Sequence, residues 1–172
     1  MTLRTLTRVG NGITAGAGSQ FQPVRGFFHA QIAGRFSMTV TVITPTLPGR
    51  EAMLAELAGD IVKQTVPPQT WLFERDESEV GPAAMRNAML AHVITPWVAL
   101  VDDDDRIDPC HLEVLLAHAD GADVIFSDWR TEGRDGFGPD SCTDYAQLAH
   151  RNWISVTTLV RASTLRAAGG FP

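Results

Sequence analysis

Residues Trp97–Val101 form an apolar run of strand length that stops at four consecutive carboxylates, Asp102, Asp103, Asp104 and Asp105. Nothing in folding alone favours that junction. Asp is depleted in strands, and unit charges about 4 Å apart repel by roughly 4 kcal/mol at an effective dielectric near 20. A cation offsets most of that repulsion. In an extended chain Asp102 and Asp104 point to one side, Asp103 and Asp105 to the other. The first pair can then share a divalent ion while the second holds neighbouring polar groups. Hard oxygen donors suit Mg²⁺ or Mn²⁺, ions that often take a phosphate as co-ligand. The competing reading is a solvated acidic turn ahead of a helix.

The rest of the chain supplies a frame for that strand. Thr39–Thr44 is β-branched almost throughout and bounded by Pro45, the mark of a buried strand in a parallel sheet. Arg50–Lys63 carries Met53, Leu54, Leu57, Ala58, Ile61 and Val62 at one-sided helical spacing, stopped by Val66-Pro67-Pro68. Thr70–Phe73 reads as a second strand. Gly81-Pro82 opens a helix with Pro at its first position, and Thr95-Pro96 ends it before Trp97. Asp108-Pro109 reads as an N-cap for a helix running to about Ala119. Ala122–Ser127 and Ser155–Val160 are further strands, Tyr145–His150 a short helix, and Ala162–Ala168 a helix ended by Gly169-Gly170. Strands alternating with helices predict an α/β/α sandwich around a largely parallel sheet, Rossmann-like in outline. Ligands of such sheets sit outside the carboxyl ends of the strands. Thr44-Pro45, Asp76 and the acidic tetrad all fall there.

Residues 1–37 lack either period, so a disordered extension is expected, with the compact domain over 38–172. A net charge of −6 leaves no basic nucleic-acid surface. Two cysteines far apart argue against a disulfide framework and for a cytoplasmic setting. No stretch reaches the roughly 18 apolar residues of a transmembrane span. His92, His111, His118 and His150 share no ligand spacing and read as surface or capping residues. Trp129 and Trp153 are more naturally core than sugar-stacking.

Four blocks in order resemble the family 2 glycosyltransferases of the GT-A fold. Val42-Ile43-Thr44-Pro45-Thr46 resembles their opening strand, and Arg86-Asn87-Ala88 their RNxG helix, with Met89 where a small residue is usual. Leu100–Asp105 is similar to the block that contains their DxD motif. Asn152–Phe171, ending Gly169-Gly170-Phe171, resembles their GGF segment. The resemblance implies a nucleotide-sugar donor, with Thr44, Pro45 and Asp76 at the base and Asp102 and Asp103 by the ribose and diphosphate. It places Asp104 on Mn²⁺ or Mg²⁺. Arg86 joins the donor-binding set as a phosphate partner, with a solvated helix arginine as the competing reading. The family's second loop reads DDGS, whereas this chain has Arg75-Asp76-Glu77-Ser78.

Family members transfer the sugar with inversion, which needs a base for the acceptor hydroxyl. The acceptor is left open among glycans, lipids, proteins and modified nucleic acids. The acidic pair that follows GGF in the family has no counterpart before Pro172. A chain truncated there is expected to transfer sugar weakly or not at all, unless Asp128 or an acid of the Asp135–Asp144 loop substitutes. A non-catalytic nucleotide-sugar-binding fragment is the alternative. A sugar-nucleotidyltransferase is a more distant one, since Thr46-Leu47-Pro48-Gly49-Arg50 is sparse for a phosphate loop.

Overall fold

The computed structural model describes residues 3–6, 38–129 and 154–172. Six strands form one sheet: β1 Leu3–Leu6, β2 Val40–Thr46, β3 Thr70–Arg75, β4 Trp97–Leu100, β5 Val124–Ser127 and β6 Thr158–Arg161. Their spatial order is β1-β5-β6-β4-β2-β3. β2 pairs parallel with both β3 and β4, while β6 runs antiparallel between β4 and β5. Two reversals cancel, so β5 points the same way as β4. The carboxyl ends of β2, β3, β4 and β5 therefore lie along one edge.

Among the described residues four helices cover the two faces: α1 Glu51–Val62, α2 Pro82–Leu90, α3 His111–Ala117 and α4 Ala162–Ala167. Strand residues alternate between two separate cores. Val40, Val42, Trp97, Ala99 and Val101 pack with Leu57 and Ile61 of α1 and with Leu112, Leu115 and Leu116 of α3. Ile43, Val98, Leu100 and Val160 pack with Met85, Met89 and Leu90 of α2 and with Ala162 of α4. Continuous apolar strands arise because both faces are covered, which is the sandwich the sequence predicts.

Element bounds differ at informative places. β2 runs through Pro45 to Thr46. Proline is tolerated because alternation turns its missing N–H toward β4, and the β2–β4 ladder already ends at Ile43↔Leu100. α3 begins at His111, later than the expected Asp108 cap. The carbonyls of Asp108 and Pro109 instead accept from His111 and Thr65, making a turn that ties α3 to the end of α1. His111 is buried rather than superficial. Burial pushes its imidazole down to about 4, and its Nε2 has no hydrogen-bond partner among the described residues.

Within the segment expected to be disordered, Leu3–Leu6 pairs antiparallel with β5. The remainder of 1–37 lies outside the described residues, as do Tyr145–His150, Trp153 and the Asp135–Asp144 loop. Among the described residues no helix is long and apolar enough to cross a membrane.

Candidate functional site

A crevice opens where β2 and β4 part company. Beyond Ile43↔Leu100 the two strands share no ladder, and their separated carboxyl ends border a cleft of about 400 Å³. Pro45, Thr46, Leu47 and Arg50 line it from the β2 side, and Asp102, Asp103 and Asp104 from the β4 side. Asp76, Glu79, Gly81, Pro82 and Met85 close it from the loop and helix after β3.

The tetrad keeps strand alternation for two residues and then turns. Asp102 faces α2, where Arg86 Nη2 donates to its Oδ1 at 2.5 Å. Asp103 faces α1 and is 2 % exposed. Its Oδ2 accepts from the Thr46 hydroxyl at 2.5 Å and its Oδ1 from Arg50 Nη1 at 2.8 Å. A turn closed by the Asp105 amide on the Asp102 carbonyl then redirects the chain. That turn interrupts the extended run from which the shared side of Asp102 and Asp104 is expected. Asp104 swings back beside Asp103, and the same Nη1 of Arg50 reaches its Oδ2 at 3.2 Å. Asp104 remains the exposed member of the set, at 53 % of its side chain. Asp105 folds inward, and burial followed by the nearby Asp102 charge pushes its carboxyl up to about 6.

α2 holds the opposite wall. Asp76 directly follows β3, and its carboxylate accepts from the Val80 and Gly81 amides at 2.9 and 2.7 Å. These bonds, Val80's foremost, hold its pKa below the usual carboxylate range despite burial. The loop is thereby fixed at the start of α2, where Gly81 adopts a φ of 90°. One turn into α2, Arg86 turns to Asp102 while Asn87 turns to the GGF segment. Asn87 Nδ2 donates to the Phe171 carbonyl and its Oδ1 accepts from the Phe171 amide, both at 2.8 Å. The Arg86 guanidinium lies 5.8 Å from the centre of the Phe171 ring. A side chain at Gly170 would collide with Asn87 Oδ1. Two distant sequence blocks are therefore one physical contact.

The structure brings Pro45, Asp76, Asp102, Asp103 and Asp104 to the cleft wall, with Arg86 reaching it through Asp102. Thr44 is set back. It is fully buried, and its hydroxyl accepts from the Trp71 indole at 3.0 Å. Asp128 follows β5, half-buried on the same edge of the sheet but outside the cleft lining. The sequence reading gives Arg50 only as the start of a helix and Thr46 only as the end of a strand and the start of a loop, with no site role for either. A lone cation one short loop after the first strand, in a chain that crowds four acids at another strand end, was the available signal.

A model of the glycosyl transferase family 2 matches residues 51–160, more than half of the chain. The chain belongs to family 2 of the glycosyltransferases. Its fold is shared by a crystal structure of S. aureus TarS 1–349 in complex with UDP, with a TM-score of 0.58, and by a second TarS 1–349 structure, at 0.54. Each is 20% identical and covers 74% of this chain. This domain spans 48% of either TarS chain, about half its length. No curated protein matches the sequence significantly.

The donor groups on the cleft also bear on a metal. Among the described residues no three His, Cys, Asp or Glu converge as a ready cage. What the cleft offers is hard carboxylate oxygen, Asp104 above all, beside an open volume. That set fits Mg²⁺ or Mn²⁺ held by one or two carboxylates with substrate phosphates completing the shell.

Proposed function

We propose that this glycosyltransferase domain binds a nucleoside-diphosphate sugar in the cleft between β2 and β4, with a divalent ion held by Asp104. The observation that carries the reading is the convergence of the Pro45, Asp76 and Asp102–Asp104 strand ends on one cleft. Arg86 and Arg50 hold Asp102 and Asp103 in place through charge-assisted hydrogen bonds, so the acidic wall is preorganised rather than collapsed. The Asp76 loop borders the base, and Asp102 and Asp103 border the ribose and diphosphate. The UDP complex of TarS, a protein of the same fold, supports a nucleoside diphosphate as the donor's leaving group. Bound there, Mn²⁺ or Mg²⁺ would supply charge neutralisation as the diphosphate leaves.

Inversion at the anomeric carbon needs a group that takes the acceptor's proton, and Asp128 is our candidate, standing on the same sheet edge two strands from Asp102. Calorimetric titration of UDP, GDP and dTDP, with and without Mn²⁺, tests the donor reading. One nucleotide should bind, and more tightly with the ion; binding by none overturns the proposal. In a transfer assay Asp128→Asn should lower turnover by about 10²–10⁴-fold with donor affinity intact. Unchanged turnover would remove Asp128 from the chemistry.

A further inference from the structure

Arg50 occupies an unusual position for a residue of a donor cleft. Its backbone is pinned where the loop after β2 enters α1: its amide donates to the Leu47 carbonyl and its carbonyl accepts from Leu54. Its side chain is 37% exposed and lines the cleft. Both of its carboxylate contacts run through Nη1, at 2.8 Å to Asp103 and 3.2 Å to Asp104. A guanidinium that closes on one carboxylate uses two parallel donors, and this one does not.

The two aspartates are not equivalent partners. Asp103 is buried and accepts a second bond from Thr46, so it would be stranded without a cation. Asp104 is exposed, and its contact is the longer one. A divalent ion bound at Asp104 would face a guanidinium already seated on the same carboxylate, and two cations on one carboxylate repel.

We propose that Arg50 is an exchangeable counter-ion of the donor site: it holds Asp104 while the cleft is empty, yields it to the divalent ion, and turns the rest of its fork onto the diphosphate that arrives with the metal. This rests on the nucleotide-sugar reading of the cleft. Asp103 stays bonded to Nη1 throughout and acts as the pivot. The flexible stem and planar fork suit that movement, because diphosphate oxygens accept the paired N–H donors that Asp104 does not engage. The exchange makes metal and nucleotide binding mutually dependent. The metal alone must displace Arg50, whereas metal with nucleotide gives Arg50 a better partner.

Removing the guanidinium should therefore move two affinities in opposite directions. Free Mn²⁺ is counted by its paramagnetic resonance signal during titration of the full chain, and UDP and GDP are titrated calorimetrically in saturating Mn²⁺. In Arg50→Gln, Mn²⁺ alone should bind several-fold more tightly, and the nucleoside diphosphate with Mn²⁺ about tenfold more weakly, the scale of one lost charge-assisted hydrogen bond. Arg50→Lys, which keeps the charge and guards against loss of fold, should leave Mn²⁺ binding near wild type and weaken the nucleotide less. Unchanged or weaker Mn²⁺ binding in Arg50→Gln overturns the counter-ion role. Unchanged or tighter nucleotide binding overturns the transfer to the diphosphate. Failure of wild type to bind either nucleotide defeats the transfer and the donor reading together, and the Mn²⁺ titration still decides the counter-ion role.

Discussion

Two arginine–carboxylate clusters flank α1, and they are built differently. On the far side Arg106 closes a fork on Asp60, Nε to Oδ2 at 2.6 Å and Nη2 to Oδ1 at 3.0 Å, with Nη1 taken by Glu56. Asp60 is held below the usual carboxylate range, chiefly by that hydrogen bonding. Each of the three guanidinium nitrogens meets a carboxylate, so the cluster fastens the loop after the tetrad to α1. At the cleft, Arg50 spreads one nitrogen over two aspartates of unequal burial. The closed pair reads as structure and the open one as a site. Satisfied valence, rather than charge count, separates the two.

Asp104→Ala should break the comparison most visibly. The gain in nucleoside-diphosphate affinity on adding Mn²⁺ should vanish, while the melting temperature stays within about a degree, because the side chain is exposed. Calorimetry beside a thermal melt reads both. Asp60→Ala should do the reverse: a melting temperature lower by about 3 °C with nucleotide affinity unchanged. Altered nucleotide binding in that variant would mean that the far cluster also shapes the cleft.

The smallest effect concerns Asp105. Its carboxyl is raised to about 6, so the folded state keeps a proton that the unfolded chain releases near pH 4. Stability contributed by this group therefore falls as pH rises from about 4 to 6, and the full penalty stands above 6. Asp105→Asn should stabilise the fold by about 1 kcal/mol near neutral pH, after allowance for solvent screening. That gain should fade below about pH 4. Chemical denaturation at several pH values measures it, and a gain independent of pH would place the effect in packing rather than in charge.

The fold was largely legible because both its periods are local. Val40, Val42, Trp97 and Ala99 alternate with Ile43, Val98 and Leu100 between two cores, which a run of apolar β-branched residues announces. Helix α1 fell within one residue of its expected bounds at either end. The start of α3 was misplaced because Asp108 and Pro109 carry strong local cap signals, while long-range bonds from Thr65 and Gln64 decided where the turn ends. Burial of His111 was missed for a related reason: which face a helix buries depends on its first residue.

At the site, chain chemistry alone determined that carboxylates would crowd a strand end and need a cation, since Coulomb repulsion and strand propensity act between neighbours. Which aspartate meets which cation was decided only in three dimensions. The turn after Asp103 set Asp104 beside its neighbour, and a single residue, Arg50, 53 positions from one and 54 from the other, supplied the guanidinium that both share. Likewise Asn87 and Phe171, 84 positions apart, were readable as motifs but not as partners. Pairings of that kind depend on the sheet order and on the side chain's path through space, and no local pattern encodes either.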